Sequence, residues 1–368
     1  MKKATFLLAK DPSHESTGDL TMAKLVMDMA RASFDVRVIC LSNTPESTKD
    51  GHRRVAKRDV ELAELAFRSV KGRRSLVHTR FDLDGLVSAI DETESDVFVA
   101  DHTYLGEPFL RSEKAGTVPL AVNTVVSETL VWKATRGVVG KLDSNRILRD
   151  ELRVARSAYT VGTYDEDEAG FYRDAGIDRA HWLDLTLPPK KQVNVAGSTR
   201  RLVFFGDRQW PPNQEAFEIL LGWWPDIARG IDDAELCIVG SPDPSAKPIE
   251  LPDGVRDLGF VDDLDAFLDT CRALVAPIMT GGGVRVKILD AASRGLPVVA
   301  TPAAVGSLES VLGIAGLPEK TAIVDACREL LLDRDKATTL GDRLFETNSS
   351  RWLRRKPHTS VAEWLAPA

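Results

Sequence analysis

The sequence has few cysteines, and their spacing matches neither a metal site nor a disulfide framework. Its 368 residues contain four cysteines, none in a CxxC pair, and each lies in or beside an apolar run: Cys40, Cys237, Cys271 and Cys327. Scattered cysteines in apolar surroundings are typical of buried thiols in a reducing compartment. We therefore expect reduced thiols, no metal site and substrate binding that is independent of a metal ion.

Long apolar runs and an excess of positive charge are also absent. The apolar run at residues 4–9 is too short for a signal peptide or a membrane span, so the sequence predicts a cytoplasmic protein. The formal net charge is −7, which argues against a protein that binds nucleic acid through its phosphates.

A glycine fingerprint for dinucleotides is missing as well. The turn after the first predicted strand, residues 10–15, is Lys-Asp-Pro-Ser-His-Glu. Dehydrogenases that bind dinucleotides need the pattern GxGxxG in this turn, because the backbone must approach the pyrophosphate. The sequence therefore argues against a dehydrogenase of this type.

The sequence does contain an alternation of short β-rich runs with helical patterns. In the first half, the predicted strands are residues 4–8, 36–40, 97–100, 120–124 and 159–161, and the predicted helices are residues 21–32, 142–156 and 166–175. Strands separated by helices of this length indicate a parallel sheet that is covered on both faces.

The alternation lapses at residues 186–200, a polar, proline-containing stretch, and then restarts. In the second half, the predicted strands are residues 202–205, 235–239, 255–258, 273–276 and 297–299, and the predicted helices are residues 213–228, 264–271 and 285–294. The chain is long enough for two doubly wound α/β domains, each with its own core. We predict a Rossmann-like domain at 1–190, a second at 191–345, and a C-terminal helix at 346–368 that crosses back to the first.

A run of glycines marks the strongest candidate site. Gly281, Gly282 and Gly283 lie between the strand at 273–276 and the helix at 285–294. Without side chains at a helix start, backbone N–H groups can approach an anion that the helix dipole already favours. The turn therefore predicts a phosphate site.

Charged residues follow the glycines directly. After Val284, Arg285 and Lys287 add positive charge at the helix start, where the dipole disfavours cations unless they face an anion. Asp290 lies three residues after Lys287 on the same face, and its carboxylate can accept hydrogen bonds from ribose hydroxyls. The alternative is a glycine-rich helix start with an Asp–Lys pair that binds no ligand.

A second polar turn follows the strand at 202–205. Gly206 permits a tight exit, and Arg208 is expected at the mouth of the sheet, where a guanidinium can bind a diphosphate bidentately. A surface salt bridge is the alternative role for Arg208. We interpret Asn213 as the N-cap of the next helix.

These segments resemble a known family. FFGDRQWPPNQEAF, AELCIVGS and GFVDDLDAFLDTCRALVAPIMTGGGVRVKILDAASRGLPVVAT occur in this order and resemble the C-terminal domain of retaining GT-B glycosyltransferases, in the large bacterial family that includes sucrose synthase and the mannosyltransferases. The resemblance is detailed over residues 202–308. It implies two Rossmann-like domains that face each other across a cleft, and transfer of a sugar from a UDP or GDP type of donor to a hydroxyl acceptor with retention of configuration.

The resemblance also implies roles for single residues. Asp290 takes the place of a glutamate that holds the donor ribose, and Gly18 stands where a glycine loop approaches the donor. Arg208 and Lys287 fall where basic residues neutralise the diphosphate. Together with the residues of the two polar turns, this gives a predicted donor-binding set of Gly18, Gly206, Arg208, Gly281, Gly282, Gly283, Val284, Arg285, Lys287 and Asp290, and the predicted catalytic set is His102, Arg208 and Lys287.

Two departures from the family pattern leave an alternative open. Gly282 stands where the family has a first glutamate, and the family's histidine near Val125 is missing. The alternative is a catalytically silent GT-B protein that binds a nucleotide sugar or supports a partner glycosyltransferase.

Two polar residues that follow predicted strands are candidates for the acceptor side. His102 can orient an acceptor hydroxyl or act as a base, or it is a structural or exposed histidine. Glu128 can contact the acceptor, or it only caps the next helix.

The segment 49–80 has ten Lys or Arg against four Asp or Glu, and it is therefore basic although the whole chain has a negative net charge. Within it, Leu62, Leu65, Ala66 and Val70 form an apolar stripe at helical spacing. Such a helix can contact anionic lipid at the inner face of the membrane or a phosphorylated acceptor. A plain solvated helix is the alternative.

Overall fold

The computed structural model divides into two compact units, Met1–Leu185 with Pro357–Ala368 (unit 1) and Thr186–Lys356 (unit 2). The structure describes residues 1–15, 18–47, 49–59, 61–124, 129, 137–246, 249–280 and 283–366. In this part of the chain, no helix is both long and apolar enough to cross a membrane.

Unit 1 is built on a parallel sheet with the strand order β3-β2-β1-β4-β5-β6-β7. Its strands are β1 (Lys2–Leu8), β2 (Phe34–Ser42), β3 (Arg53–Ala56), β4 (Val97–Asp101), β5 (Leu120–Thr124), β6 (Thr160–Thr163) and β7 (Ala180–Trp182). Every residue of β4 and β5 is buried, as expected for central strands of a sheet that is covered on both faces.

The helices of unit 1 connect these strands. They are α1 (Gly18–Ala30), α2 (Leu62–Gly72), α3 (Leu76–Phe81), α4 (Asp84–Asp91), α5 (Gly106–Arg111), α6 (Gly137–Ser157) and α7 (Glu166–Asp174). A core that includes Phe98, Phe109 and Ile147 fills the space between sheet and helices.

Unit 2 is built on a second parallel sheet with the strand order β10-β9-β8-β11-β12. Its strands are β8 (Arg201–Phe205), β9 (Glu235–Val239), β10 (Val255–Gly259), β11 (Ala273–Ala276) and β12 (Val298–Ala300). Its helices are α8 (Pro211–Ala228), α9 (Leu264–Leu268), α10 (Val286–Arg294), α11 (Pro302–Val305), α12 (Leu308–Leu312), α13 (Lys320–Leu332) and α14 (Arg334–Leu353). The two sheets confirm the predicted doubly wound α/β class.

The last helix, α15 (Lys356–Leu365), packs within unit 1. Val361, Trp364 and Leu365 are buried. A Cβ on Gly162 of β6 would lie 2.9 Å from Cε2 of Trp364, so only glycine leaves room for the indole ring at this point of the sheet.

Two short strands were missed by the sequence prediction, and one predicted helix cap was wrong. The edge strands β3 and β7 were not predicted, because neither carries an apolar run. The assignment of Asn213 as an N-cap was wrong: α8 begins at Pro211, which places Asn213 inside the first turn. Proline is favoured at this first position, because its missing N–H has no helical partner there.

Candidate functional site

The turns that leave β8 and β9 pack backbone against backbone. The N–H of Gly206 donates to the carbonyl of Val239 at 3.0 Å. Gly240 has φ 122°, and a Cβ there would overlap the carbonyl of Gly206. Two glycines therefore allow these neighbouring turns to meet at the carboxyl edge of the unit 2 sheet, the edge at which doubly wound sheets bind ligands.

Lys287 lies over the turn at Gly206. Its ammonium nitrogen is 2.6 Å from Oδ1 of Asn213 and 5.3 Å from the ring centroid of Phe204. A Cβ on Gly206 would be 3.2 Å from the same nitrogen. The structure thus brings together Gly206 and Lys287, which the sequence analysis assigned to one site.

Within the described part of the chain, the hydrogen-bond partner of the Lys287 ammonium is neutral. Burial lowers the pKa of Lys287 to about 8. Among the residues that the structure describes, no carboxylate pairs with it, and its contacts are the Asn213 amide and the Phe204 ring. Keeping an ammonium protonated costs free energy when it contacts little solvent and no counter-ion. A bound anion removes that cost.

The first turn of α10 adds a favourable field for an anion. Lys287 is the second residue of this helix, and Gly283, which precedes it in the chain, is buried with φ 71°. Backbone N–H groups at a helix start carry partial positive charge. Gly281 and Gly282 lie outside the described residues, and Val284 is half-buried before the helix.

Arg285 packs beside this helix start. Its Nη1 donates to the carbonyl of Gly283 at 2.5 Å. Its guanidinium lies against Gly306, where a Cβ would overlap it. Glycine at 306 therefore leaves the space that the Arg285 side chain occupies.

Asp290 and Lys287 have different partners. Oδ1 of Asp290 is 2.5 Å from Nζ of Lys190, and Oδ2 is 3.1 Å from Nε of Arg294. The carboxylate expected to hold a ribose thus already balances two cations.

Arg208 is buried rather than exposed at the mouth of the sheet. Its side chain is 4% exposed, and its Nη2 lies 2.8 and 2.7 Å from the two carboxylate oxygens of Asp257 in β10. The guanidinium also lies over the ring of Phe217, 4.6 Å from the centroid. An acidic side chain 49 residues further along the chain therefore determines where Arg208 points.

His102 follows β4 in unit 1 with an unusual backbone conformation. It is buried, with φ 87° and ψ 145°, a region that non-glycine residues rarely adopt and that often marks functional sites. Its N–H donates to the carbonyl of Asn123 at 2.7 Å. Its Nδ1 lies 2.6 Å from the carbonyl of Asp101, and because a carbonyl only accepts, Nδ1 carries a proton and donates this bond.

A buried polar network supports this position, and the sequence analysis missed it. Nδ2 of Asn123 donates to Oδ1 of Asp101 at 2.7 Å and to the hydroxyl of Tyr164 at 3.0 Å. Burial raises the pKa of Tyr164 above its ordinary value, so the phenol stays neutral. Each of the three residues lies at or near the carboxyl end of a neighbouring strand, a signal that could have found them.

The remaining predicted residues are less informative. Gly18 is the exposed first residue of α1, and Glu128 lies outside the described residues. In the described part of the chain, no group of three or more His, Cys, Asp or Glu side chains is placed to hold a metal ion.

Comparison with known proteins relates the second half of the chain to one family. Residues 199–333 match the family described as glycosyl transferases group 1, and this segment contains every predicted donor-site residue except Gly18. No curated protein sequence matches the chain.

Several solved structures align with this chain along nearly its whole length. Sucrose-phosphate synthase from Thermosynechococcus elongatus aligns over 98% of both chains with 14% identity and a TM-score of 0.71. Anabaena HepE in complex with UDP and glucose aligns over 100% of both chains with 14% identity and a TM-score of 0.67. WaaG, a glycosyltransferase involved in lipopolysaccharide biosynthesis, aligns over 99% of this chain and 100% of its own with 12% identity and a TM-score of 0.65.

The whole chain therefore has the GT-B fold, and residues 199–333 match the glycosyl transferases group 1 family. The family resemblance read from the sequence is confirmed at this level, and the predicted GT-B fold is confirmed with it.

Proposed function

We propose that this protein transfers a sugar from a nucleoside-diphosphate donor of UDP or GDP type to a hydroxyl group of a glycan, lipid or small molecule, with retention of anomeric configuration. The observation that carries the proposal is the Lys287 ammonium, which lies at the start of α10 with a neutral partner and a pKa lowered by burial to about 8. A diphosphate supplies the missing negative charge.

The sugar donor binds at the carboxyl edge of the unit 2 sheet in this proposal. Its diphosphate lies against Gly206, Lys287 and the start of α10, and Arg208 in the turn after β8 contributes positive charge. Asp290 holds the ribose by accepting hydrogen bonds from its hydroxyls, in addition to its bonds with Lys190 and Arg294. HepE, which shares the fold, has been solved with UDP and with UDP-glucose, and this supports a nucleotide of that kind here.

Charge stabilisation of the leaving diphosphate is the main catalytic contribution that we assign to the chain. As the bond from sugar to phosphate breaks, negative charge grows on the diphosphate, and a fixed cation in a poorly solvated position stabilises that charge more than it stabilises the intact donor. Lys287 has this role, and Arg208 joins it when the diphosphate replaces Asp257 as its partner. In a retaining transfer the leaving diphosphate accepts the acceptor's proton on the same face of the sugar.

His102 acts on the acceptor side in this proposal. Its ring is fixed as the Nδ1–H tautomer by the carbonyl of Asp101, so Nε2 is the nitrogen that can accept a hydrogen bond from an acceptor hydroxyl. We assign Glu128 to the acceptor side as well.

A thermal-shift screen tests the donor assignment. UDP, GDP and their sugars are added to the purified protein, and a ligand that binds the folded state raises Tm by mass action. Lys287→Ala should abolish the shift. Lys320→Ala is the matched control, because Lys320 is exposed on α13 and pairs with Asp226, and it should keep the shift. Equal shifts in the wild type and in both variants would reject the assignment.

A silent nucleotide-sugar-binding protein is the second candidate function. It is favoured by Gly282, which stands where the resembling family has a glutamate. Assays of donor hydrolysis and of sugar transfer separate the two functions: binding without turnover of any bound donor supports the silent protein, and turnover rejects it.

We also propose that unit 1 contacts the anionic cytoplasmic face of a membrane through residues 49–80, with the protein located in the cytoplasm. Leu62, Phe67 and Val70 of α2 are 78%, 68% and 71% exposed, and Lys71 and Arg73 are exposed beside them. Exposed apolar side chains flanked by basic ones are typical of a helix that lies in a lipid interface.

The predicted composition of this apolar stripe was partly wrong. Leu65 is buried against the unit, and Phe67 is exposed instead. Co-sedimentation with anionic and with neutral liposomes tests the contact. Binding to anionic liposomes that Phe67→Ser weakens supports it, and negligible binding to both kinds of liposome rejects it.

A further inference from the structure

The orientation of the Asn213 side chain follows from its two neighbours. Its Nδ2 is 2.7 Å from the main-chain carbonyl of Asp207, and its Oδ1 is 2.6 Å from Nζ of Lys287. A carbonyl can only accept a hydrogen bond and an ammonium can only donate one. The amide therefore presents its oxygen to Lys287, and the reversed orientation would break both bonds.

The place of Asn213 in the fold makes this contact rigid. Asn213 is 9% exposed and lies in the first turn of α8, where its N–H donates to the carbonyl of Trp210 at 2.9 Å. A Cβ on Gly206 would lie 2.8 Å from Nδ2 of Asn213, so the glycine turn lets the amide lie flat over the backbone. The helix and the turn therefore fix the side-chain oxygen of Asn213 in the direction of Lys287.

We infer that Asn213 is a positioning residue for sugar transfer: its side-chain oxygen holds the ammonium of Lys287 above the Gly206 turn, where that ammonium meets the donor diphosphate. The inference rests on the proposed function, and it adds a residue that the resemblance did not assign. A neutral acceptor suits the task, because it orients the cation without neutralising it. A carboxylate in the same place would pair with the ammonium and compete with the diphosphate.

The charged groups around Lys287 pair with partners other than Lys287. On its own helix, Asp290 pairs with Lys190. On α8, Glu215 accepts a hydrogen bond from the hydroxyl of Thr280.

The remaining charged neighbours belong to the flanking turns. The carboxylate of Asp207 accepts from the N–H of Gln209, Arg208 pairs with Asp257, and Arg285 donates to the carbonyl of Gly283. Burial alone accounts for the lowered pKa of Lys287. A new charge at position 213 should therefore act on Lys287 directly.

The test measures the affinity for UDP or GDP by calorimetry as a function of pH, using whichever nucleotide binds the wild type. The variants are Asn213→Asp, which keeps the side-chain shape, and Asn213→Ala, each made alone and together with Lys287→Met. Asn145→Ala is the matched control, because Asn145 is exposed on α6 of unit 1.

A positioning role predicts opposite changes in the pH profile. Asn213→Asp should weaken binding at neutral pH by about tenfold or more, because the new carboxylate neutralises the charge of the ammonium. It should also move the alkaline loss of affinity to higher pH, because the carboxylate favours the protonated form of Lys287. Asn213→Ala should weaken binding by about tenfold and move the loss to lower pH, because the charged form loses an acceptor. With Lys287→Met present, neither substitution should change the affinity further.

Each other outcome overturns the inference. Unchanged affinity and pH profile in both variants would show that Asn213 does not act through Lys287, and so would equal losses with and without Lys287→Met. Failure of both variants to fold would assign Asn213 a structural role instead. A wild type that binds no nucleoside diphosphate would reject the proposed function itself, which is a separate result.

Discussion

Asp11 and Arg54 form an ion pair in the interior of unit 1. Oδ2 of Asp11 is 2.7 Å from Nε of Arg54, and the two side chains are 1% and 0% exposed. The hydroxyl of Ser42 and the N–H of Ser13 complete the shell of the carboxylate. The pair therefore ties the turn after β1, which leads to Gly18, to the edge strand β3.

Removing one member of this pair should destabilise the protein strongly. Arg54→Met leaves the Asp11 carboxylate buried without its cation, and the expected loss in the free energy of unfolding is about 3–5 kcal/mol. Urea denaturation measures it. Arg31→Ala, which removes an exposed pair with Asp28, is the control and should change stability by less than about 1 kcal/mol. Equal effects of the two substitutions would contradict the account.

The same pair gives a pH dependence with a definite sign. Burial alone would raise the pKa of Asp11, but the hydrogen bonds from Arg54 and Ser42 outweigh it and lower the pKa to about 2. An unfolded aspartate titrates near pH 3.9, so this stabilisation is complete above about pH 4 and is lost as the pH falls towards 2. The free energies of unfolding of the wild type and of Asp11→Asn, measured by denaturation, should therefore become equal below about pH 2. A constant difference across that range would contradict the assignment.

Trp364 should be needed for the stability of unit 1. Its side chain is fully buried and packs against Gly162, so Trp364→Ala leaves a cavity that should cost about 3–5 kcal/mol. Leu353→Ala is the control, since Leu353 is 77% exposed and should change stability by about 0.5 kcal/mol or less. Thermal or chemical unfolding distinguishes the two. A mild effect of Trp364→Ala would show that α15 is dispensable.

Two glycines in unit 2 should respond differently to alanine. In Gly206→Ala the new Cβ would meet Asn213 and Lys287 at 2.8 and 3.2 Å, so the variant should lose most of its affinity for a nucleoside diphosphate. In Gly222→Ala, on an open face of α8, the Cβ meets nothing within 4 Å. That control should bind normally and gain up to about 1 kcal/mol in stability from helix propensity. Normal binding by Gly206→Ala would argue against a site at this turn.

The affinity for a nucleoside diphosphate should fall on the alkaline side. Lys287 has a pKa of about 8 because it is buried, and an anion prefers its charged form. Affinity should therefore be nearly constant below about pH 7.5 and fall up to about tenfold per pH unit above 8. Calorimetric titrations over this range measure the change. Lys287→Met should bind weakly with no such fall, and a wild-type affinity that stays flat to pH 9.5 would exclude Lys287 from the site.

The central strands were predictable because their sequences are nearly pure apolar runs. Ala273–Ala276 was predicted with the bounds it has in the structure, since a strand buried on both faces needs apolar side chains in either direction. The edge strand Arg53–Ala56 was not predictable in the same way. Its Arg54 is buried only because Asp11 lies opposite, a pairing across 43 residues.

The candidate site was predictable in its motif and not in its contacts. Glycines before a helix with Lys287 near its start indicate an anion site from local chemistry alone. The partner of Lys287 lies 74 residues away, and it comes close because Gly206 has no side chain. Arg208 illustrates the same limit, since Asp257 on another strand withdraws it from the surface.

The most direct test of the account is a crystal structure of this protein with a bound nucleoside diphosphate. The account predicts that the phosphates lie against the turn at Gly206 and the start of α10, with Nζ of Lys287 within hydrogen-bond distance of a phosphate oxygen. A diphosphate bound elsewhere, or one that leaves Lys287 without a phosphate contact, would contradict it.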